Sequence, residues 1–345
     1  MIRLATFAAA TLLMGCPASA QDSIADFYRG KTVTLQIGSE PGGGYDLVGR
    51  AVARHIGKHI PGNPTVIVQN VPGGGSLRLA NQIFNTGAKD GTLFALASNG
   101  MPTTPLLIPS AAHFNPLQFN WLGSTSRETE IMVVWHKAPV KKLDDVFTTE
   151  MIVGASAPGS ATWDFPFVLN QLLGTKFKIV TGYRGATQIK LAMQRGEVHS
   201  NVALAWGSAR TQYADVLRTK ELIVMGKYSE TPDPALAKVP IMRKGKTAED
   251  RQILDILYSR ESYGRPFFTP PGVPADRVAA LRRAFAATMK DTDFQKDAAK
   301  RRIEVEPVTG DQLAALTRNL MEIPPGVVAR ARKLLSPKGA KERAK

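Results

Sequence analysis

The chain has 345 residues, 43% of them hydrophobic and 21% charged. That is the composition of an ordinary globular protein, too long for one small core and long enough for two domains. Its net charge is +15 and its single cysteine is Cys16, which excludes an intrachain disulfide and a cysteine nucleophile in the mature chain.

The first twenty residues read as an export leader. Arg3 supplies the positive start, "LATFAAATLLM" at 4–14 the apolar run, and "ASA" at 18–20 the small residues of a cleavage site, which places cleavage after Ala20. A second reading takes "LMGC" at 13–16 as a lipoprotein box with Cys16 as the lipidated residue. No other stretch holds the roughly 18 apolar residues that a spanning helix needs, so the expected location is the periplasm. Loss of the leader removes only Arg3 and leaves +14. Residues 331–345 carry six basic residues and one acidic. This tail reads as a frayed, solvated end rather than a nucleic-acid or membrane contact, and no nucleic acid is expected as a partner. The rest of the positive charge favours anionic ligands weakly.

Strands and helices then alternate. "TVTLQIG" (32–38) is a strand, and "DLVGRAVARHI" (46–56) has the apolar spacing of one helical face. "TVIVQN" (65–70) is a strand, 76–86 a helix, and "TLFALAS" (92–98) a third strand. Residues 99–150 are irregular and proline-rich. A second series follows, with strands at 151–156, 177–183, 198–205 and 221–226 and helices at 164–173 and after Arg184. "SETPDPALAKVP" is a connector, 265–289 a proline-rich bend and a helix capped near Asp276, and helices lie at about 292–302 and 310–322. Two such series argue for an α/β protein with two parallel-rich domains.

The two glycine loops, "EPGGGYD" at 40–46 and "VPGGGS" at 71–76, each stand where a strand ends and a helix begins, with Pro41 and Pro72 31 residues apart. The first N–H groups of a helix lack internal partners and carry partial positive charge. Glycine clears side chains from those amides, so two such loops at one sheet edge would converge on an anion. No lysine follows either cluster as a Walker loop requires, and Leu47 stands where the dinucleotide fingerprint needs its third glycine. A carboxylate remains. Asp46 reads as a cap of the first helix, taking bonds from its N2 and N3 amides.

These motifs carry a resemblance. Strand–"EPGGGYD"–helix, then "VIVQNVPGGGS", "KDGTLFALAS", "VGASAPGSAT", "VTGYRGATQIKLAMQRGEV" and "FFTPPGVPADRVAALRRAF" follow in the order of the substrate-binding proteins of tripartite tricarboxylate transporters, the Bug family. The likeness covers about residues 27–322. It implies a two-lobed periplasmic-binding-protein fold of type II with a two-crossing hinge. It also implies a monomeric receptor that closes on a small mono- or dicarboxylate, without cofactor or catalysis, and serves membrane transporter subunits. By position, the first lobe would contribute Ser39, Gly43, Gly44, Tyr45, Asp46, Asn70, Gly73, Gly74, Gly75 and Ser76. The second would contribute Ser156, Gly159, Ser160, Thr162, Tyr183 and Gly185. Lobe one is placed at 21–126 plus 237–345 and lobe two at 127–236. The sequence departs from the family at Gly38-Ser39, where Pro-Phe is usual, at Glu40, and at Tyr45, which replaces a small residue. Arg127, Glu128 and Trp206 are open between cleft and surface or core.

His55 and His59 lie one helical turn apart, but no carboxylate shares their face in the sequence, and no metal site is expected. No G-x-S-x-G elbow occurs. An enzyme of the same two-lobed fold acting on a small carboxylate, or a sensor receptor without transport, are the alternatives to a transport receptor.

Overall fold

The structure is a computed structural model that describes residues 24–229, 233–242 and 245–335. The expected leader with Cys16, and all but the first five residues of the basic tail, lie outside them.

The first series folds as expected. β1 (Thr32–Ile37) leads into α1 (Gly44–Ile56), β2 (Thr65–Asn70) into α2 (Leu77–Thr86), and β3 (Leu93–Leu96) follows. All three strands are parallel, with β1 in the middle and Thr32 opposite Thr65. Val48, Ala51, Val52 and Ile56 of α1 share one apolar cluster with Leu35, Ile37 and Phe94. Burial of each larger aliphatic side chain stabilises by about 1.5–3 kcal/mol, which fixes α1 on the sheet and its first turn at the strand ends.

β4 (Asn120–Ser124) belongs to the same sheet, and the chain then crosses to β5 (Glu130–Trp135) in a second one. That sheet is completed by β6 (Met151–Gly154), α3 (Ala161–Leu173), β7 (Phe177–Val180), α4 (Ala186–Arg195), β8 (Ser200–Ala205), α5 (Trp206–Gln212) and β9 (Leu222–Lys227), in the strand order β7-β6-β8-β5-β9. Beyond it come α6 (Ala248–Tyr258), β10 (Pro266–Thr269), α7 (Ala275–Lys290), α8 (Thr292–Lys300), β11 (Val308–Thr309), α9 (Gly310–Met321) and α10 (Pro325–Leu335).

Both sheets are mixed rather than purely parallel. The first runs β11-β4-β10-β3-β1-β2, with β10 antiparallel to β3 and β4. In the second, β5 is antiparallel to both β8 and β9. The expected proline-rich bend is thus partly a strand. Phe267 and Phe268 are both fully buried, as a central strand requires, and the prolines stand at its first position and just past its end, where a missing N–H is tolerated. The expected cap at Asp276 also moves: Pro274 is the cap residue of α7, and Asp276 lies in the first turn.

Candidate functional site

Four helices begin at the cleft between the two sheets. α1 starts after the first glycine loop, α2 after the second, α3 after Ser160 and α4 after Gly185. None of the four has a side chain bonded to its first-turn amides. Ser160 is a good capping residue by type, yet its Oγ donates to the Ala157 carbonyl at 2.7 Å instead. Among helices that start elsewhere, α6, α8 and α9 are capped by Thr247, Asp291 and Thr309, and α7 by Pro274, which has no acceptor to offer. All four helices that start at the cleft are thus uncapped, against one, α7, of these four that start elsewhere.

The second loop explains its own glycines. Gly73, Gly74, Gly75 and Ser76 all have positive φ (138°, 56°, 63° and 75°), a run that side chains resist. The Ser76 hydroxyl donates to the Gly38 carbonyl at 2.9 Å and accepts from the Ser98 amide at 2.9 Å, tying both loops to the end of β3. Gly75 also meets the opposite side of the cleft. A Cβ added there would lie 2.9 Å from the Gly159 carbonyl oxygen.

The cleft has two compartments of about 450 and 430 Å³ that share Ser39, Tyr45, Ser156 and Ser160. The first is also lined by Gly43, Gly44, Thr162 and Gly185, the second by Gly73, Gly74, Gly75, Ser76 and Tyr183. Tyr45 accepts the Asn99 amide on its hydroxyl at 2.9 Å, and the Arg265 guanidinium lies 4.3 Å from its ring centre.

Two residues expected at the ligand, Asp46 and Asn70, stand behind the wall, and a third, Gly159, has its amide already taken. The Asp46 carboxylate is buried and does not accept from the N2 and N3 amides. It reaches back to the Gly42 amide at 2.8 Å and takes Arg50 Nε and Asn70 Nδ2 at 2.9 and 2.8 Å. Burial raises its pKa, but the bonds from Arg50, Gly42 and Asn70 outweigh that and hold it below the usual range. Asn70 spends its amide on Asp46 and the Ser39 carbonyl, and so supports the first loop from below. The Gly159 amide donates to Asp164 at 2.9 Å. Trp206 lines a separate cavity with Arg127 and Glu128, and its indole N–H donates to Asp233 at 2.6 Å. His55 and His59 pair with Asp297 of α8 and with Asp291, its cap residue. No group of three or more metal-ligating side chains occurs among the described residues.

Sequence reasoning missed several cleft residues. Ser98 and Asn99 follow β3, Glu130 opens β5, Ser208 and Gln212 lie on α5, and Arg184 lines both compartments with an exposed side chain. Behind them lies a buried charged network. Arg265 bonds Glu128 through Nε at 2.9 Å and Nη2 at 2.7 Å, and Nη2 also donates to Ser208 at 3.0 Å. Arg260 pairs with Asp164 at the start of α3, both fully buried.

No family model matches the chain. It is 26% identical over 315 residues to a protein described as the UPF0065 protein in the gbd 5′ region of Cupriavidus necator, covering 89% of this chain and 88% of that one. Among solved structures it is similar to the periplasmic binding protein BugD, with a TM-score of 0.69, 18% identity and coverage of 89% of this chain and 98% of that one. It is likewise similar to MatC (Rpa3494) from Rhodopseudomonas palustris with bound malate, with a TM-score of 0.67, 18% identity and coverage of 89% and 99%. Over nearly nine-tenths of its length the chain thus has the two-lobed α/β fold of the Bug-type periplasmic binding proteins that its motifs resemble.

Proposed function

We propose that the protein is a periplasmic receptor that captures a small mono- or dicarboxylate between its two lobes and delivers it, unchanged, to a tripartite tricarboxylate-type membrane transporter. The observation that carries this reading is the convergence of four uncapped helix starts on one cleft. Those amides and the helix dipoles suit a small anion, and glycines bring backbone rather than side chains to it. The bound malate of MatC and the fold shared with BugD support the carboxylate and the periplasmic location. In this reading the lobes are 21–126 with 237–345, and 127–236. The chain is exported, begins at Gln21 and acts as a monomer.

Native mass spectrometry of protein purified from periplasm without refolding tests this. A retained small acid is expected, at the mass of a chain cleaved after Ala20. X-ray scattering should show a smaller radius of gyration on adding that acid, because a ligand touching both lobes favours the closed form. A screen of organic acids without a binder, or a new product in the mixture, would overturn the reading.

A further inference from the structure

The glycine-loop amides account for one end of a carboxylate ligand, but the same cleft holds a group they leave unexplained. Glu130 is 3% exposed and lines the first compartment. Its backbone N–H donates to Glu261 Oε1 at 2.8 Å, and its Oε1 accepts from Asn99 Nδ2 at 3.1 Å. Its Oε2 has no hydrogen-bond partner among the described residues. A buried acceptor without a donor is costly, and such groups in folded proteins call for an explanation.

The charged and titratable neighbours do not supply that donor. Glu128 is bonded to Arg265, and the Glu261 oxygens to the Glu130 amide and Ser229. Arg265 also bonds Ser208, and Arg260 bonds Asp164; each keeps an unbonded Nη1, but neither bonds Glu130 Oε2. The Tyr228 hydroxyl donates to the Val202 carbonyl, and the Tyr45 hydroxyl accepts from the Asn99 amide. Glu130 forms part of the wall of the first compartment, with Oε2 covered until a ligand group takes its place beside it. The first compartment joins the second, where the glycine loop of 73–76 stands, through the shared walls at Ser39, Tyr45 and Ser156.

We propose that Glu130 determines specificity: the ligand is a carboxylic acid that also bears a hydroxyl or ammonium group, and this donor bonds Glu130 Oε2 while the carboxylate lies at the glycine-loop amides. The proposal rests on the receptor reading above. Burial, and then the Glu128 charge, push the Glu130 carboxyl up to about 7. Above that pH it is an acceptor only. A donor-bearing acid then gains a charge-assisted bond, while an unsubstituted dicarboxylate sets like charge against it.

The test compares matched acids, namely succinate, malate and aspartate, by calorimetry at pH 8 on the full mature protein. Malate or aspartate should bind about tenfold or more tightly than succinate. In Glu130→Gln the side-chain oxygen stays on Asn99 and the amide faces the cleft, so that preference should collapse. If the donor is an ammonium, wild-type binding at pH 7 should also release protons, seen by repeating the titration in buffers of different ionisation enthalpy. A hydroxyl donor gives the preference with little release. Succinate binding as tightly as both substituted acids, or a folded Glu130→Gln that keeps the wild-type preference, would overturn this inference and leave the receptor reading intact. Failure of malate and aspartate to bind would overturn this inference, while the ligand class of that reading is decided separately by the wider acid screen, and the proton-release measurement needs no variant to fold.

Discussion

Gly44 at the start of α1 lies against Ser208 of α5, so closely that a methyl group on Gly44 would overlap the Ser208 hydroxyl. That hydroxyl accepts from the buried Arg265 at 3.0 Å and is not free to swing aside. Gly44 therefore lets α5 approach the start of α1. Gly44→Ala should keep the fold but hold the cleft partly open, weakening acid binding by about tenfold, or about 1.4 kcal/mol. Adding Ser208→Gly should restore most of it, because neighbours in contact couple. Calorimetry on the four proteins of that cycle decides the matter, and strictly additive effects would show that the contact is not the cause.

The cap position of α1 offers the opposite experiment. Gly43 has φ −77° and ψ 170°, an ordinary capping conformation, and an added Cβ there meets only the Glu40 carbonyl at 3.5 Å. Gly43→Asn should fit without strain and cap the first-turn amides with its own side chain. A glycine cap replaced by asparagine gains only about a few tenths of a kcal/mol, so the melting temperature should hold or rise slightly. Ligand binding should nevertheless fall, since a lost charge-assisted hydrogen bond is worth about 1.5–3 kcal/mol. Thermal melting and calorimetry on the same sample separate the two effects. Undiminished binding by the capped variant would mean that these amides do not hold the anion.

The contrast between these positions shows what the sequence could reveal. The glycine loops were visible because apolar runs, glycine clusters and helical periodicity are local signals. Their reasons were only half visible. Gly74 and Gly75 are required by positive φ and Gly44 by the approach of Ser208, and that approach depends on residues 164 positions apart. β4 and β5 were lost in the irregular stretch because a polar crossing, Ser126–Arg127–Glu128, separates two short strands. α6 carries a signal that is legible in the sequence. Thr247 and Asp250 form a capping box before Ile253, Leu254 and Leu257. Asn99, Glu130, Ser208 and Gln212 gave no signal, since each is a lone polar residue in its own segment and only the fold brings them to one wall.

The Arg265–Glu128 pair should matter for stability more than surface pairs do. Both side chains are 4% exposed, so removing one leaves the other as an unpaired buried charge. Arg265→Met should destabilise by about 3–5 kcal/mol, whereas Arg265→Met with Glu128→Leu should recover much of that loss. Arg29, paired with the exposed Asp26, is the control, and Arg29→Ala should change stability by less than about 1 kcal/mol. Urea unfolding of the variants measures all of this. A single Arg265→Met as stable as the wild type would show that the pair is dispensable.

Glu130 and Glu261 make stability depend on pH in a definite direction. Burial is the leading cause in both, and it pushes Glu130 up to about 7 and Glu261 up to about 8 from the ordinary 4.5. Between 4.5 and those values the folded chain holds protons that the unfolded chain has released. The stability these groups contribute is therefore complete below about 4.5 and lost as pH rises through about 7 and about 8. At the acid end Asp297, with a folded value of about 2, acts the other way. Burial raises it, bonds from Arg54 and Arg301 more than offset that, and its contribution is lost as pH falls below 3.8. His199, lowered by burial, favours higher pH near 6.5, so the wild-type profile alone mixes opposing effects. The clean comparison is with Glu130→Gln/Glu261→Gln. Both replacements keep an oxygen for Asn99 or for the Glu130 amide and cannot titrate. Unfolding free energies measured from pH 5 to 8.5 should fall more steeply in the wild type than in the double variant. Equal slopes would mean that both carboxyls ionise in the folded protein as readily as in the unfolded one.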